Sequence, residues 1–97
     1  MPKAYLVGLY SEINDADALA AYAELAGPAV AANGGRFLAR GGRVKSLEGG
    51  SDERTVVIEF DSYEAAIAHY QSDIYGKALA ALGDSVVRDM RVVEALE

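Results

Sequence analysis

Ninety-seven residues, 52% of them apolar, suffice for one packed domain and are too apolar for a disordered chain. Fifteen acidic against nine basic residues give a formal net charge of -6 with no dense basic cluster, which argues against a nucleic-acid partner. Cysteine is absent, so disulfides and thiolate metal sites are excluded.

No apolar stretch approaches the ~20 residues that span a membrane. The N-terminal Met1-Pro2-Lys3-Ala4-Tyr5 leads straight into a strand pattern, without the charged and apolar regions of a signal peptide. The expectation is one cytoplasmic domain over residues 1–97.

The run Ala4 to Tyr10 predicts a first strand. Its apolar residues are contiguous, which calls for cover on both faces of the sheet. Asn14 is the expected cap of a first helix, with Asp15 and Asp17 in the first turn and Leu19, Tyr22, Ala23 and Ala26 at helical spacing. Gly27-Pro28 is expected to interrupt it, with Pro28 starting a second piece that ends at Asn33-Gly34.

The most distinctive stretch follows, from Asn33 to Gly42, where two glycine pairs bracket Arg36-Phe37-Leu38-Ala39-Arg40. Gly35 to Arg40 predicts a second strand with Phe37 and Ala39 on one face and Arg36, Leu38 and Arg40 on the other. Gly41-Gly42 reads as a bulge or bend, and Arg43 to Leu47 as a continuation of the strand. Glu48 to Asp52 forms a loop, and Glu53 to Phe60 a third strand with Val56, Ile58 and Phe60 on one face.

Asp61-Ser62-Tyr63-Glu64 has the spacing of a capping box with Asp61 as cap. A second helix follows, recapped at Ser72 and stopped at Gly83. Val86 to Leu96 is the last strand, with Met90 and Val92 on one face. The order is β-α-β-β-α-β. This is an α+β, ferredoxin-like fold: a four-stranded antiparallel sheet with helices on one face. Two helices leave the other face bare, and Val57, Leu38 and Val93 point out of it. A symmetric dimer packed sheet to sheet would cover them.

Gly34-Gly35-Arg36-Phe37-Leu38-Ala39-Arg40-Gly41, Glu48-Gly49, Val57-Ile58-Glu59-Phe60 and Ala68-His69-Tyr70-Gln71-Ser72-Asp73-Ile74-Tyr75 occur in that order and spacing. Together they resemble the domain-of-unknown-function family numbered 1330, of the dimeric α/β-barrel superfamily. The resemblance covers nearly the whole chain. It implies a homodimer whose sheets form a barrel, with a cleft between sheet and helices in each subunit. It implies no activity: superfamily members include monooxygenases, an isomerase, peroxidases and binding modules, and a shared fold does not choose among them. Two positions depart from the family's pattern. His69 stands where an aromatic residue is frequent, and Leu82-Gly83 where many relatives carry an arginine.

The candidate pocket residues are Arg36, Arg40, Glu59, His69, Tyr70, Ser72 and Tyr75. Arg36 and Arg40, with Glu59 on the next strand, either hold a carboxylate ligand in a guanidinium fork or form cross-strand ion pairs. His69, the lone histidine, is either a base or ligand or a half-exposed helix residue. Ser72 and Tyr75, at the break in the second helix, either line a pocket mouth or serve as cap and packing. No metal site and no cofactor are implied, and Gly34-Gly35 precedes a strand, so it is not a dinucleotide fingerprint. The expected function is binding of a small organic molecule between sheet and helices, with cofactor-free oxidation or isomerisation as the chemistry it would support. The alternative is a non-catalytic dimeric binding or accessory module.

Overall fold

The structure, a computed structural model, describes residues 2–97; Met1, where the N-terminal segment starts, lies outside the described residues. The elements are β1 (Ala4–Ile13), α1 (Ala16–Ala32), β2 (Arg36–Arg40), β3 (Thr55–Phe60), α2 (Tyr63–Tyr70), α3 (Asp73–Leu82) and β4 (Val86–Glu94). The four strands form one antiparallel sheet in the order β2-β3-β1-β4. This is the ferredoxin-like topology, with the second helix split into α2 and α3. No helix among the described residues is long and apolar enough to cross a membrane.

β1 alternates despite its contiguous apolar sequence. Ala4, Leu6, Gly8 and Tyr10 are buried beneath the helices, whereas Tyr5 and Val7 are half-buried and Leu9 is exposed. The strand outlasts its expected end at Tyr10 because its pairing with β4 slips once, between Tyr10 and Glu12, and then resumes.

α1 is capped by Asp15, not Asn14: the Asp15 carboxylate accepts from the backbone N–H groups of Asp17 and Ala18, both at 3.1 Å. It also runs through Pro28 without the expected break. Gly27 helps explain this. The clash that keeps the residue before a proline out of the helical region involves that residue's Cβ, which glycine lacks. The proline still removes one backbone hydrogen bond. α2 is capped by Ser62, whose hydroxyl accepts from Ala65 N–H at 3.0 Å; the expected cap, Asp61, instead takes a bond from Arg36.

The bulge in β2 is at Leu38, and Gly41, with φ 76°, makes the bend that ends the strand. Phe37 opposes Ile58 and Ala39 opposes Val57, so Leu38 is the extra residue. The consequence reverses one face. Arg40 opposes Val56, which is buried under the helices, whereas Arg36 opposes Glu59 on the open side. The two arginines therefore lie on opposite faces of the sheet, not on one. Beyond Arg40 the chain does not continue as a strand: Arg43 to Leu47 is unpaired.

Two cores result. Leu6, Val30, Ile58, Phe60 and Ala66 pack between sheet and helices. Tyr22, Ala26, Ala29, Tyr75, Ala78 and Leu82 pack between α1 and α3. Gly35 closes the first core. A Cβ there would stand 2.7 and 2.8 Å from Phe60 ring atoms and 2.8 Å from a Val30 methyl. Gly35→Ala is expected to cost ~1–3 kcal/mol by overpacking. Gly42→Ala, where nothing lies within 4 Å, should stay within about 0.5 kcal/mol of wild type. Urea unfolding of both variants checks the pair.

Candidate functional site

Strand alternation puts Val86, Arg88, Met90 and Val92 on the side of β4 that faces the helices. Three of these are apolar and one is an arginine. Arg88 opposes Tyr10 on β1 and reaches under the helices. Its Nη1 donates to the Tyr10 hydroxyl at 2.9 Å and to the Tyr22 hydroxyl at 3.1 Å; its Nη2 donates to the Tyr75 hydroxyl at 3.3 Å. The Tyr22 and Tyr75 hydroxyls bond each other at 2.6 Å. Elements far apart in sequence thus deliver three phenols to one guanidinium: β1, α1 and α3.

The donors in this cluster outnumber its acceptors. All three phenol oxygens accept from Arg88. One hydroxyl hydrogen is used between Tyr22 and Tyr75, and the other two have no acceptor among the described residues. Burial by itself pulls the Arg88 pKa down. The hydrogen bond to Tyr22 and the phenol oxygens around it outweigh that, so its pKa rises and the side chain stays charged. Burial, and next the adjacent Tyr22, push the Tyr75 hydroxyl up, so it stays protonated. No carboxylate lies within ion-pair distance of Arg88 among the described residues.

This cluster is one wall of a cleft between the sheet and α1. Leu6, Val30, Phe37, Ile58 and Met90 supply apolar walls, and Arg40 and Arg54 also line it. Among the described residues no aspartate, glutamate or histidine does. Gly8 keeps the floor low: a Cβ there would meet the Met90 sulfur at 2.8 Å. The side chains close on one another across the cleft. It is a narrow slot, with about 20 Å³ open to the centre of a water molecule, so a larger occupant must spread side chains.

The sequence candidates are dispersed. Arg40 and Tyr75 line the cleft. Arg36 and Glu59 lie on the opposite sheet face and bind each other, Arg36 donating to Glu59 Oε1 from Nε at 3.0 Å and Nη2 at 2.7 Å. Lys3 donates to the same oxygen at 3.2 Å. The Arg36 hydrogen bond, and then that of Lys3, hold Glu59 below the usual carboxylate range. Tyr70 lines a separate open hollow with Tyr63, Ile67 and Gln71. Ser72 is fully engaged: its hydroxyl donates to the His69 carbonyl at 2.6 Å, accepts from Asn33 at 3.1 Å and caps α3 through Tyr75 N–H at 3.3 Å.

His69 is not half-exposed. It is 1% exposed, with ring centroids 5.0 Å from Phe60 and 4.6 Å from Tyr75, and joins the two cores. Its Nδ1 lies 2.9 Å from the Asn33 side-chain nitrogen, a group that has only hydrogens to give. Nδ1 is therefore the acceptor, and Nε2 carries the proton with no partner among the described residues. The one basic lone pair of the ring is thus spent inside the core, and His69 has none to offer a substrate. Burial lowers its pKa from the ordinary 6.5. Below about pH 6.5 the unfolded chain then binds a proton that the folded chain resists, so stability falls as pH falls. Expressed as wild type minus His69→Gln, the unfolding free energy should be flat above about pH 7 and decline below it, by at most ~1.4 kcal/mol per pH unit. Urea titrations at stepped pH measure this difference; a flat difference would contradict a buried neutral imidazole.

Arg88 and Arg54 were missed from the sequence; Tyr10 and Tyr22, which with the other tyrosines suit either polar handles of an apolar cleft or ordinary packing, were left out of the candidate pocket. Counting back two residues from Met90 on the inward face of the last strand reaches Arg88, and that signal was available.

Solved structures share the fold. The RPA0582 protein of unknown function from Rhodopseudomonas palustris is 20% identical, with TM-score 0.75 over 99% of this chain and 84% of that one. A candidate antibiotic biosynthesis monooxygenase from Caulobacter crescentus CB15 is 18% identical, with TM-score 0.62 over 99% and 92%. A dimeric ferredoxin-like protein of unknown function from Thermobifida fusca is 19% identical, with TM-score 0.57 over 97% and 90%. No curated protein matches the sequence. The family model described as "Domain of unknown function (DUF1330)" matches residues 3–96, and the chain belongs to that family.

Proposed function

We propose that this protein is a homodimer that binds a small organic anion in the cleft between sheet and helices, with Arg88 as the seat of the negative charge. The observation that carries the reading is a charged guanidinium among three tyrosine hydroxyls with no carboxylate to balance it. Arg88 is half-buried; withdrawing a cation even partly from water without a counter-ion is unfavourable, and a ligand oxyanion would supply the missing partner. It would also accept the two phenol hydrogens left over. The apolar walls suit a hydrocarbon or aromatic body.

The same donors would stabilise a phenolate or enolate oxygen, the species that cofactor-free oxidation or isomerisation passes through. No base lines the cleft, however, so such a ligand would have to arrive ionised. The geometry therefore favours binding over proton abstraction.

Dimerisation is supported by the bare sheet face. Leu9, Leu38 and Val93 are 42%, 55% and 52% exposed, and Val7 and Val57 lie half-buried among them. Ion pairs, Lys3 and Arg36 with Glu59 and Arg91 with Asp89, lie on the same face. An apolar centre among charged groups suits a self-complementary interface. One structural neighbour is described as dimeric.

Benzoate is expected to bind the wild type, and Arg88→Gln to weaken that binding about 100-fold, the loss of a charge-assisted contact. Isothermal titration measures both; equal affinities would contradict the assignment. Val93→Lys should convert the dimer to a monomer by light scattering at micromolar concentration. A wild-type monomer would contradict the assembly.

A further inference from the structure

Arg88 is not the only unbalanced cation at the cleft. Of the arginines, Arg36 is paired with Glu59 and Asp61, and Arg91 with Asp89. Both lie on the outer side of the sheet. Arg40, Arg54 and Arg88 all line the cleft, and none of them has a carboxylate within ion-pair distance among the described residues. This chain has 15 acidic residues and a net charge of -6, so carboxylates are not scarce. Arg43 also lacks a carboxylate within ion-pair distance among the described residues, but it is exposed beyond β2 and does not line the cleft, where the other three unpaired guanidiniums gather.

The sheet register explains the gathering. The Tyr10 N–H donates to the Arg54 carbonyl at 3.0 Å, and Tyr10 opposes Arg88, so Arg54, Tyr10 and Arg88 form one row across the helix-facing side. The neighbouring row is Arg40, Val56, Gly8 and Met90. The Leu38 bulge is what brings Arg40 into it. Arg54 and Arg88 stand 5.8 and 5.6 Å from the Tyr10 ring centre. Arg40 lies 4.0 Å over the Phe37 ring. These aromatic faces hold the guanidiniums without neutralising them. Arg54 Nε is buried and has no hydrogen-bond partner among the described residues. Arg40 is exposed and therefore at the mouth, with room to swing.

We infer that the ligand is a dianion: an apolar or aromatic body with one anionic group on Arg88 and the tyrosine hydroxyls, and a second held nearer the mouth by Arg40 and Arg54. This rests on the anion reading above and goes beyond it by fixing the ligand's charge and the spread of that charge. A monoanion would leave two guanidiniums unbalanced, whereas a dianion leaves one charge, which the exposed Arg40 can leave to solvent. A phenol or neutral ring would leave all three.

The test uses benzoate, phthalate, isophthalate and terephthalate, which share one ring and differ in the number and separation of carboxylates. Titration calorimetry on the wild-type protein at low and high salt gives the affinities. The expected result is that the best dicarboxylate binds about tenfold tighter than benzoate at low salt, the worth of one further charged contact. The advantage should shrink as salt screens the exposed mouth. In Arg40→Gln/Arg54→Gln the dicarboxylate-to-benzoate affinity ratio should fall to about one. A dicarboxylate that binds no tighter than benzoate in the wild type would overturn the dianion assignment and leave the anion reading standing. A ratio unchanged in the double variant would overturn the roles of Arg40 and Arg54. Failure of every acid to bind would overturn both readings. The wild-type comparison does not depend on the variants folding.

Discussion

The charge on Arg88 is the constraint around which the helix-facing side of the sheet is arranged. A guanidinium cannot shed its proton, so burial has to be met by hydrogen bonds. Tyr10, Tyr22 and Tyr75 provide them. Each phenol is also a large packing unit. Tyr10 belongs to the sheet core, and Tyr22 and Tyr75 to the core between α1 and α3. One polar cluster therefore ties both apolar cores together while leaving its own charge unbalanced. Natural proteins accept such local cost where a ligand is to be held.

Small backbone events shape the surroundings. The bulge at Leu38 turns Arg40 inward, and Gly8 leaves space for Met90 in the floor. The break between α2 and α3 is held by Ser72, Asn33 and His69, and it sets the start of α3 from which Tyr75 reaches Arg88. Ser72 and His69 are thus supports of a wall of the cleft, not its lining. That role accounts for why polar residues gather at the helix break without facing a ligand.

Much of the fold was legible in the sequence. Alternation in Thr55–Phe60, turn glycines and the capping serine at position 72 are local signals, and they gave the order of elements along the chain and the split helix. Pro28 and the caps of α1 and α2 were misread, because several neighbouring residues offer similar chemistry and only the tertiary path decides between them. The site was less legible. Reading period two through Arg36–Arg40 placed both arginines on one face, but a bulge adds one residue and inverts everything after it. His69 drew attention as the lone histidine, although its burial comes from packing that no local pattern reveals. Arg88 was within reach: it shares a face with Met90 and Val92, and an arginine in an apolar row marks either a site or a buried pair.

The account depends on Arg88 being a cation that waits for an anion. Nitrogen-15 NMR of the arginine guanidinium groups, recorded while benzoate is titrated into the protein, tests this most directly. The expected result is a saturable shift of the Arg88 Nε–H signal, assigned by its loss in Arg88→Gln, with slowed hydrogen exchange at saturation. An Arg88 signal that stays fixed while benzoate binds elsewhere, or no response from any arginine, would contradict the account.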